Sequence, residues 1–271
     1  MNADHPLPGF RESPTESARF GLRVYRAEAD AIDGEALVET LARERVDVAI
    51  LRIPAHALGS LQTLRLRGLT PIVADTIVRY ETSLPLAPLV LDESVTLRPA
   101  TAHDADRLET LAREIFDGYI SHYHANPLFP AEKIADGYGE WAASHVRGGR
   151  SGAIAWLVES HGRVAGFSCC RIDEATGLAI GVLNGVLPEF RGRGVYRGML
   201  RRMLHDFSAR GLARFAIATQ VQNVAVQRIW VAERLVLTRT DNTVHINAML
   251  GQAHAATSEA TRSSAHSERF E

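Results

Sequence analysis

The stretch Leu183-Asn184-Gly185-Val186-Leu187-Pro188-Glu189-Phe190-Arg191-Gly192-Arg193-Gly194-Val195-Tyr196 holds the residue types best suited to chemistry on an anion. An apolar run predicted as a strand over Leu178 to Leu187 meets a proline, and a basic, glycine-rich turn follows before a helix predicted from about Gly192 to Arg210. Glycines let backbone N–H groups converge, and a helix N-terminus adds roughly half a positive charge, so a pyrophosphate suits such a turn. A tight basic strand-to-helix connection without a ligand would use the same residues. No Gly-Lys-Ser/Thr follows, which excludes a Walker loop, and no Gly-x-Gly-x-x-Gly spacing supports a dinucleotide site.

A second group lies between Tyr119 and Pro130, where His122 and His124 stand two apart beside Tyr119 and Tyr123. Histidine exchanges protons near pH 7, so these two could act as a base or as polar contacts to an acceptor; as surface-loop residues they would do neither. No third ligand has a recognisable spacing, so a metal is not expected. Asn184 faces either an acceptor or its own sheet edge. His245 alternates with apolar Val244 and Ile246, which reads as a solvent-facing or internally satisfied histidine. The two cysteines, Cys169 and Cys170, are adjacent and point to opposite faces of a strand, so no disulfide joins them.

These groups need elements to hold them. The helix from about Gly192 carries Val195, Met199, Met203 and Phe207 on one stripe, and the helix after Thr101 carries Leu108, Leu111, Ala112, Ile115 and Phe116. Strands are predicted at Ser94 to Arg98, at Ala153 to Glu159 and Val164 to Ile172 about a His161-Gly162 turn, and at Arg214 to Thr219. A helix over Val224 to Glu233 precedes a strand pair, Leu235 to Thr240 and Thr243 to Leu250, joined at Asp241-Asn242. Upstream, strands and helices alternate from Leu22 to Tyr80 as a small α/β layer. The expected organisation is a mobile tail over 1–19, an α/β domain over 20–91 closed by a Pro-rich linker, a second domain over 92–250 and a mobile tail over 251–271.

The 271 residues are 46% hydrophobic and 23% charged, an ordinary globular balance that excludes collagen-like, coiled-coil and wholly disordered chains. A formal net charge of −2 gives no electrostatic case for nucleic acid or an anionic membrane as partner. No apolar run reaches the length of a membrane span, and the N-terminus lacks a basic-then-apolar leader, so a cytoplasmic protein is expected.

The strand-Pro-x-x-Arg-x-x-Gly arrangement, followed by helix, strand, Asn-bearing turn, helix and final strands, closely resembles the GNAT superfamily of acyl-CoA-dependent N-acyltransferases over about Val95 to Leu250. The resemblance implies a GNAT fold, a mixed and mostly antiparallel sheet flanked by helices, with acetyl-CoA as co-substrate and no metal. It implies that backbone N–H groups of Arg191, Gly192, Arg193, Gly194, Val195 and Tyr196 hold the pyrophosphate. Val186 and Leu187 would receive the pantetheine arm and thioester, an N–H near Val186 would stabilise the oxyanion, and Asn223 would bond the arm or cap the next helix. Tyr196 departs from the small residue usual at the motif's end.

His122-Tyr123-His124-Ala125-Asn126-Pro127 and Thr219-Gln220-Val221-Gln222-Asn223-Val224-Ala225 are similar to segments of the dTDP-fucosamine acetyltransferase group, which acylates the 4-amino group of a dTDP-linked dideoxy sugar. In that group a tyrosine on the helix after the asparagine is the acid for the thiolate. Here Trp230 takes that position, and indole is no general acid at neutral pH. Tyr196 is the nearest stand-in. The other readings are an N-acyltransferase for another small amine and an acyl-CoA sensor without turnover. Edge strands near Leu235 to Leu250 leave room for a homodimer.

Overall fold

The structure is a computed structural model that describes residues 7, 9–84, 90–148 and 151–248. Cα packing divides the chain into two compact units, one holding 1–77, 121–130 and 240–271, the other 78–120 and 131–239. The division is not the contiguous one expected at residue 91: the strands Pro71–Ser83 and Val236–Asn247 each run from one unit into the other, and residues 121–130 belong to the first unit.

In the first unit, β1 (Arg11–Glu12) runs antiparallel to β2 (Val24–Glu28), β2 pairs in parallel with β3 (Val48–Pro54), and Asp241 to Asn247 of β10 (Val236–Asn247) run antiparallel to β3. Helices α1 (Pro14–Phe20), α2 (Gly34–Arg43) and α3 (Gln62–Leu66) accompany them, with a 3-10 segment at Ala55–Leu61 where a continuous helix is expected. The β3 run Val-Ala-Ile-Leu-Arg-Ile-Pro is buried at every residue but Arg52, as a central strand covered on both faces must be. Its core joins Leu37, Leu41, Leu51, Ile53, Leu64, Val244 and Ile246.

Two expectations fail in this unit. The segment ending at residue 19 is not a tail throughout: α1 begins at Pro14 and closes at Gly21, whose φ of 68° lets its N–H reach the Ser17 carbonyl. Pro14, one of the prolines behind the expected tail, is a helix-start residue, and Gly21 is the helix-stop residue that follows. Asp241-Asn242 is not a turn either. Both lie inside the single strand β10, opposite Pro54 and Ile53, and Asn242 accepts a 2.8 Å bond from Thr76 Oγ1 on β4 (Pro71–Ser83), which supplies locally what a turn would have supplied. The C-terminal tail 251–271 and residues 85–88 of the linker lie outside the described residues.

In the second unit the strand order is β4-β9-β8-β7-β6-β5, with β5 (Val95–Pro99), β6 (Ala153–Ser160), β7 (Arg163–Asp173) and β8 (Leu178–Val186) antiparallel in turn and β8 parallel to β9 (Arg214–Gln220). Helices α4 (Ala105–Ile115), α5 (Ala131–Ala143), α6 (Val195–Ala209) and α7 (Val224–Ala232) flank this sheet, α4 against β7 and β8, α6 against β5 and β8. The β6–β7 turn is His161-Gly162 as expected, with φ of 49° and 73°. Phe167, Leu157, Met203, Phe207 and Phe215 are wholly buried in the core. Among the described residues no helix is long and apolar enough to cross a membrane.

Candidate active site

A gap opens in the middle of the second unit's sheet. Parallel pairing of β8 with β9 covers Leu178 to Gly181 against Arg214 to Ile217 and then stops. A bulge on the other side, between Cys169 and Cys170 of β7, leaves Val182 as the extra residue of β8 and bends the strand at the same level. Leu187 N–H bonds the Ala165 carbonyl at 2.8 Å, toward β7. Amides alternate in direction along a strand, so the N–H of Val186 points the other way, to the side where β9 has diverged. That is the amide expected to meet a developing oxyanion.

The loop after β8 begins with one turn of 3-10 helix, Pro188–Phe190. Arg191 is a strut here rather than an anion donor: its N–H bonds the Pro188 carbonyl at 3.1 Å, and its Nη2 bonds the Ile115 carbonyl at 3.0 Å. Leu187 is committed likewise, its carbonyl accepting from Phe190 N–H. Gly192 and Gly194 have φ of 72° and 80°, the left-handed region that a side chain resists, and open space surrounds the point where a Cβ would begin. Gly194 is the N-cap of α6 and brings no side chain to cap it. The first helical bond runs from Gly198 N–H to the Gly194 carbonyl, which leaves the N–H groups of Val195, Tyr196 and Arg197 without intrahelical partners. Exposed Arg193 adds charge. An open helix start of this kind fits a pyrophosphate, and the unpaired flank of β8 fits the amides of a pantetheine arm.

Tyr196 and Trp230, two of the expected catalytic positions, come together. Trp230 is 1% exposed, and its indole N–H donates to Tyr196 Oη at 3.3 Å. Burial pushes the Tyr196 phenol up from its ordinary value while the indole bond acts against the shift, so the O–H keeps its proton at neutral pH. Trp230 is also braced by the ring of Tyr80, edge-on at 5.4 Å. Asn223 stands at the N-cap of α7 without capping it; its Nδ2 donates instead to Thr219 Oγ1 at 3.1 Å. Asn184 accepts from the Ser168 hydroxyl, which also lies 3.2 Å from Met203 Sδ, so it is held inside the sheet's packing.

Glu233, just past α7, locks this pair in place. It is 4% exposed and takes Arg197 Nε and Arg201 Nε of α6, the latter at 2.8 Å. Burial alone would raise its carboxyl; the guanidiniums of Arg201 and Arg197 outweigh that and hold it below the usual range. Glu233→Gln is expected to cost about 1–2 kcal/mol, the scale of bonds to charged groups reduced for the partial exposure of both arginines. Urea titration at pH 7 measures it, and a loss below about 0.3 kcal/mol would show that the helices hold without it.

The histidines of the second group belong to the first unit and have different fates. His124 Nδ1 accepts from Ser121 N–H at 3.1 Å and closes its own turn, while its residue is exposed. His122 Nδ1 lies 2.9 Å from Nε2 of His245, which is wholly buried and so satisfied rather than solvent-facing. The network fixes their protons. Asn126 Oδ1 accepts from Leu128 N–H and from Asn247 Nδ2, each at 3.1 Å, so its Nδ2 is the group facing His245 Nδ1 at 3.2 Å. His245 must therefore accept there and carry its proton on Nε2, and His122 accepts at Nδ1 and carries its own on Nε2. In this tautomer His122 is a donor, not a base.

Beside it, Arg26 donates to Glu16 through Nε and Nη2, and Tyr123 O–H donates to the same carboxylate. Burial is the main cause that lowers both imidazoles, aided by the charge of Arg26: His122 falls well below its ordinary value and His245 to about 3. Both folded values lie below the unfolded one, so their contribution is complete above pH 6.5 and drains away as pH falls toward them. Each histidine can add a slope of about 1.4 kcal/mol per pH unit. Urea titrations from pH 6.5 to 4.5 are expected to show this slope and a shallower one for His122→Gln; equal slopes would mean that His122 titrates normally.

Sequence reasoning passed over Glu16, Arg26 and Arg52. The signal was present for two of them: Arg52 is a charge inside an apolar strand, and Arg26 alternates with Tyr25 and Ala27.

Residues 115–233 match the acetyltransferase (GNAT) family. Among solved structures, a GCN5-related N-acetyltransferase from Sphaerobacter thermophilus is similar at 14% identity and TM-score 0.56, over 88% of this chain and 74% of that one. A second, from Kribbella flavida, has 16% identity and TM-score 0.50, over 82% and 80%. A tandem GNAT protein from the clavulanic acid biosynthesis pathway has 14% identity and TM-score 0.55, over 83% and 75%. No curated protein matches. At such identities the likeness to solved structures speaks for fold, and the fold is GNAT. The family match, over residues 115–233, supports an acyl-CoA-dependent N-acetyltransferase activity of the GNAT type.

Proposed function

We propose that the protein moves an acetyl group from acetyl-CoA to the amino group of a dTDP-linked amino-dideoxy sugar in the cytoplasm, working as a homodimer. The observation that carries the chemistry is the conjunction, in one unit, of an unpaired β8 flank, an open α6 start and the Tyr196–Trp230 pair. Acetyl-CoA supplies the activated acyl group, its pyrophosphate resting on the N–H groups of Gly192 to Tyr196, while that of Arg191 is committed to Pro188. Asn223 Oδ1, left over after its bond to Thr219, takes an amide of the arm.

The amine must be neutral to attack, and water takes its proton. Val186 N–H meets the charge that grows on the thioester oxygen. As the carbon–sulfur bond breaks, Tyr196 O–H gives its proton to the thiolate, with Trp230 holding the phenol oxygen in place. The nucleotide-sugar acceptor rests on the likeness of His122 to Pro127 and Thr219 to Ala225 to the dTDP-fucosamine group. Mass spectrometry of products, after incubation with acetyl-CoA and a panel of nucleotide amino sugars and plain amines, tests it. Acetylated dTDP-amino sugar is the expected product; acetylation of other amines alone would overturn the acceptor, and CoA binding without thiol release would overturn turnover.

A further inference from the structure

We infer that the corner of the first unit formed by His122, Arg26 and Arg52 binds a phosphate-type oxyanion. At this corner a donor faces a donor. His122 Nε2 carries a proton, for the reasons given by Asn126 and His245, and it faces Arg26 Nη2 at 3.5 Å. Nη2 spends its two hydrogens on Glu16 and Tyr123 and has no lone pair to offer, so the His122 proton meets no acceptor there, which an anionic oxygen would supply.

Further donors stand around the same point. Arg26 spends Nε and Nη2 on Glu16, and Nη2 also on Tyr123 Oη at 2.9 Å, but its side chain is 38% exposed and Nη1 is not used by these bonds. Arg52 stands on β3 beside β2, one row along on the same face, since Arg26 is opposite Ile50 and alternate residues share a face. Among the described residues its Nη2 reaches the Thr243 hydroxyl at a long 3.4 Å, and its buried Nε has no partner. Of the carboxylates, Glu16 is consumed by Arg26 and Tyr123, and exposed Glu28 lies opposite Arg52 in register. The donors come from a loop and two strands. A planar carboxylate matches one guanidinium edge, and that of Arg26 is already taken by Glu16; a tetrahedral anion offers oxygens in several directions.

The site stands on these residues alone and does not depend on which amine accepts the acetyl group. Calorimetric titration of the full chain with sulfate, inorganic phosphate, dTDP and acetate tests it, sulfate being chosen because its charge is constant from pH 6 to 8. Sulfate and phosphate are expected to bind at least about tenfold more tightly than acetate, with sulfate affinity level across that range. His122→Phe should weaken sulfate at least about fivefold while His122→Gln, which keeps an N–H near Nε2, stays within about threefold. Arg52→Gln, at a half-exposed position, gives the same test should His122→Phe fail to fold. Tighter binding of dTDP than of phosphate would place the group on a nucleotide, and equal binding would make it free phosphate; either supports the site. Acetate binding as tightly as sulfate, a tenfold loss of sulfate affinity between pH 6 and 8, or indifference to Arg52→Gln would overturn it.

Discussion

Tyr196→Phe is expected to lower kcat by about 100-fold, close to 2.7 kcal/mol, while the KM for acetyl-CoA moves little. The phenol O–H is the only part removed, so packing against α7 survives. What is lost is the proton for the departing thiolate and an acceptor for the Trp230 indole, which lies 3.3 Å from Tyr196 Oη. A raised phenol pKa does not disqualify the acid. The cause that raises it is burial, and burial opposes a thiolate as much as a phenolate, so the balance between the two is kept. The sign for pH follows: because the folded value lies above the ordinary 10, the wild-type kcat should stay level up to pH 10 instead of falling there.

Trp230→Phe is the companion measurement. It leaves the phenol, deletes the donor that steadies it and trims a buried ring, so much of the activity should remain at some cost in stability, and Trp230→Tyr need not raise it. Steady-state rates for the three variants at saturating acetyl-CoA decide the matter. A Tyr196→Phe enzyme within threefold of wild type would make the phenol a wall, and a large gain in Trp230→Tyr would make the tryptophan the mark of a lost acid.

Much of this was open to reading because strand and helix periodicity are local. The β8 run, the glycine turn and the stripe of α6 follow one another in the chain, so one stretch of sequence specifies both the gap's edge and the helix start. Tyr196 and Trp230 were each visible as departures from the family pattern; their bond was not, since it joins residues on different helices. The proton order in His122 and His245 was further from reach. It depends on Asn126, whose orientation is fixed by a backbone amide two residues on and by Asn247 across 121 positions. The Asp241-Asn242 turn failed for a related reason: turn residues make a turn only where the backbone is free to reverse, and here pairing with Pro54 and Ile53 of β3 keeps both extended.

Gly194→Val is expected to weaken CoA binding by at least about tenfold, or roughly 1.4 kcal/mol, and the reasons can be separated. Gly194 holds φ of 80°, so any L-residue there carries strain, and a β-branched one the most. Strain alone would lower the melting temperature. Nothing outside its chain neighbours lies within 4 Å of the point where a Cβ would begin, so the branched side chain is expected to extend into the open space at the helix start that the anion would use. Affinity should therefore fall by more than stability does. Gly194→Ala divides the two effects, since it carries most of the strain and little of the bulk. Calorimetric titration with CoA beside a thermal melt, for both variants, gives the comparison. Equal CoA affinity in a folded Gly194→Val protein would remove the α6 start from the binding site, and with it the placing of the pyrophosphate that the Tyr196 assignment assumes.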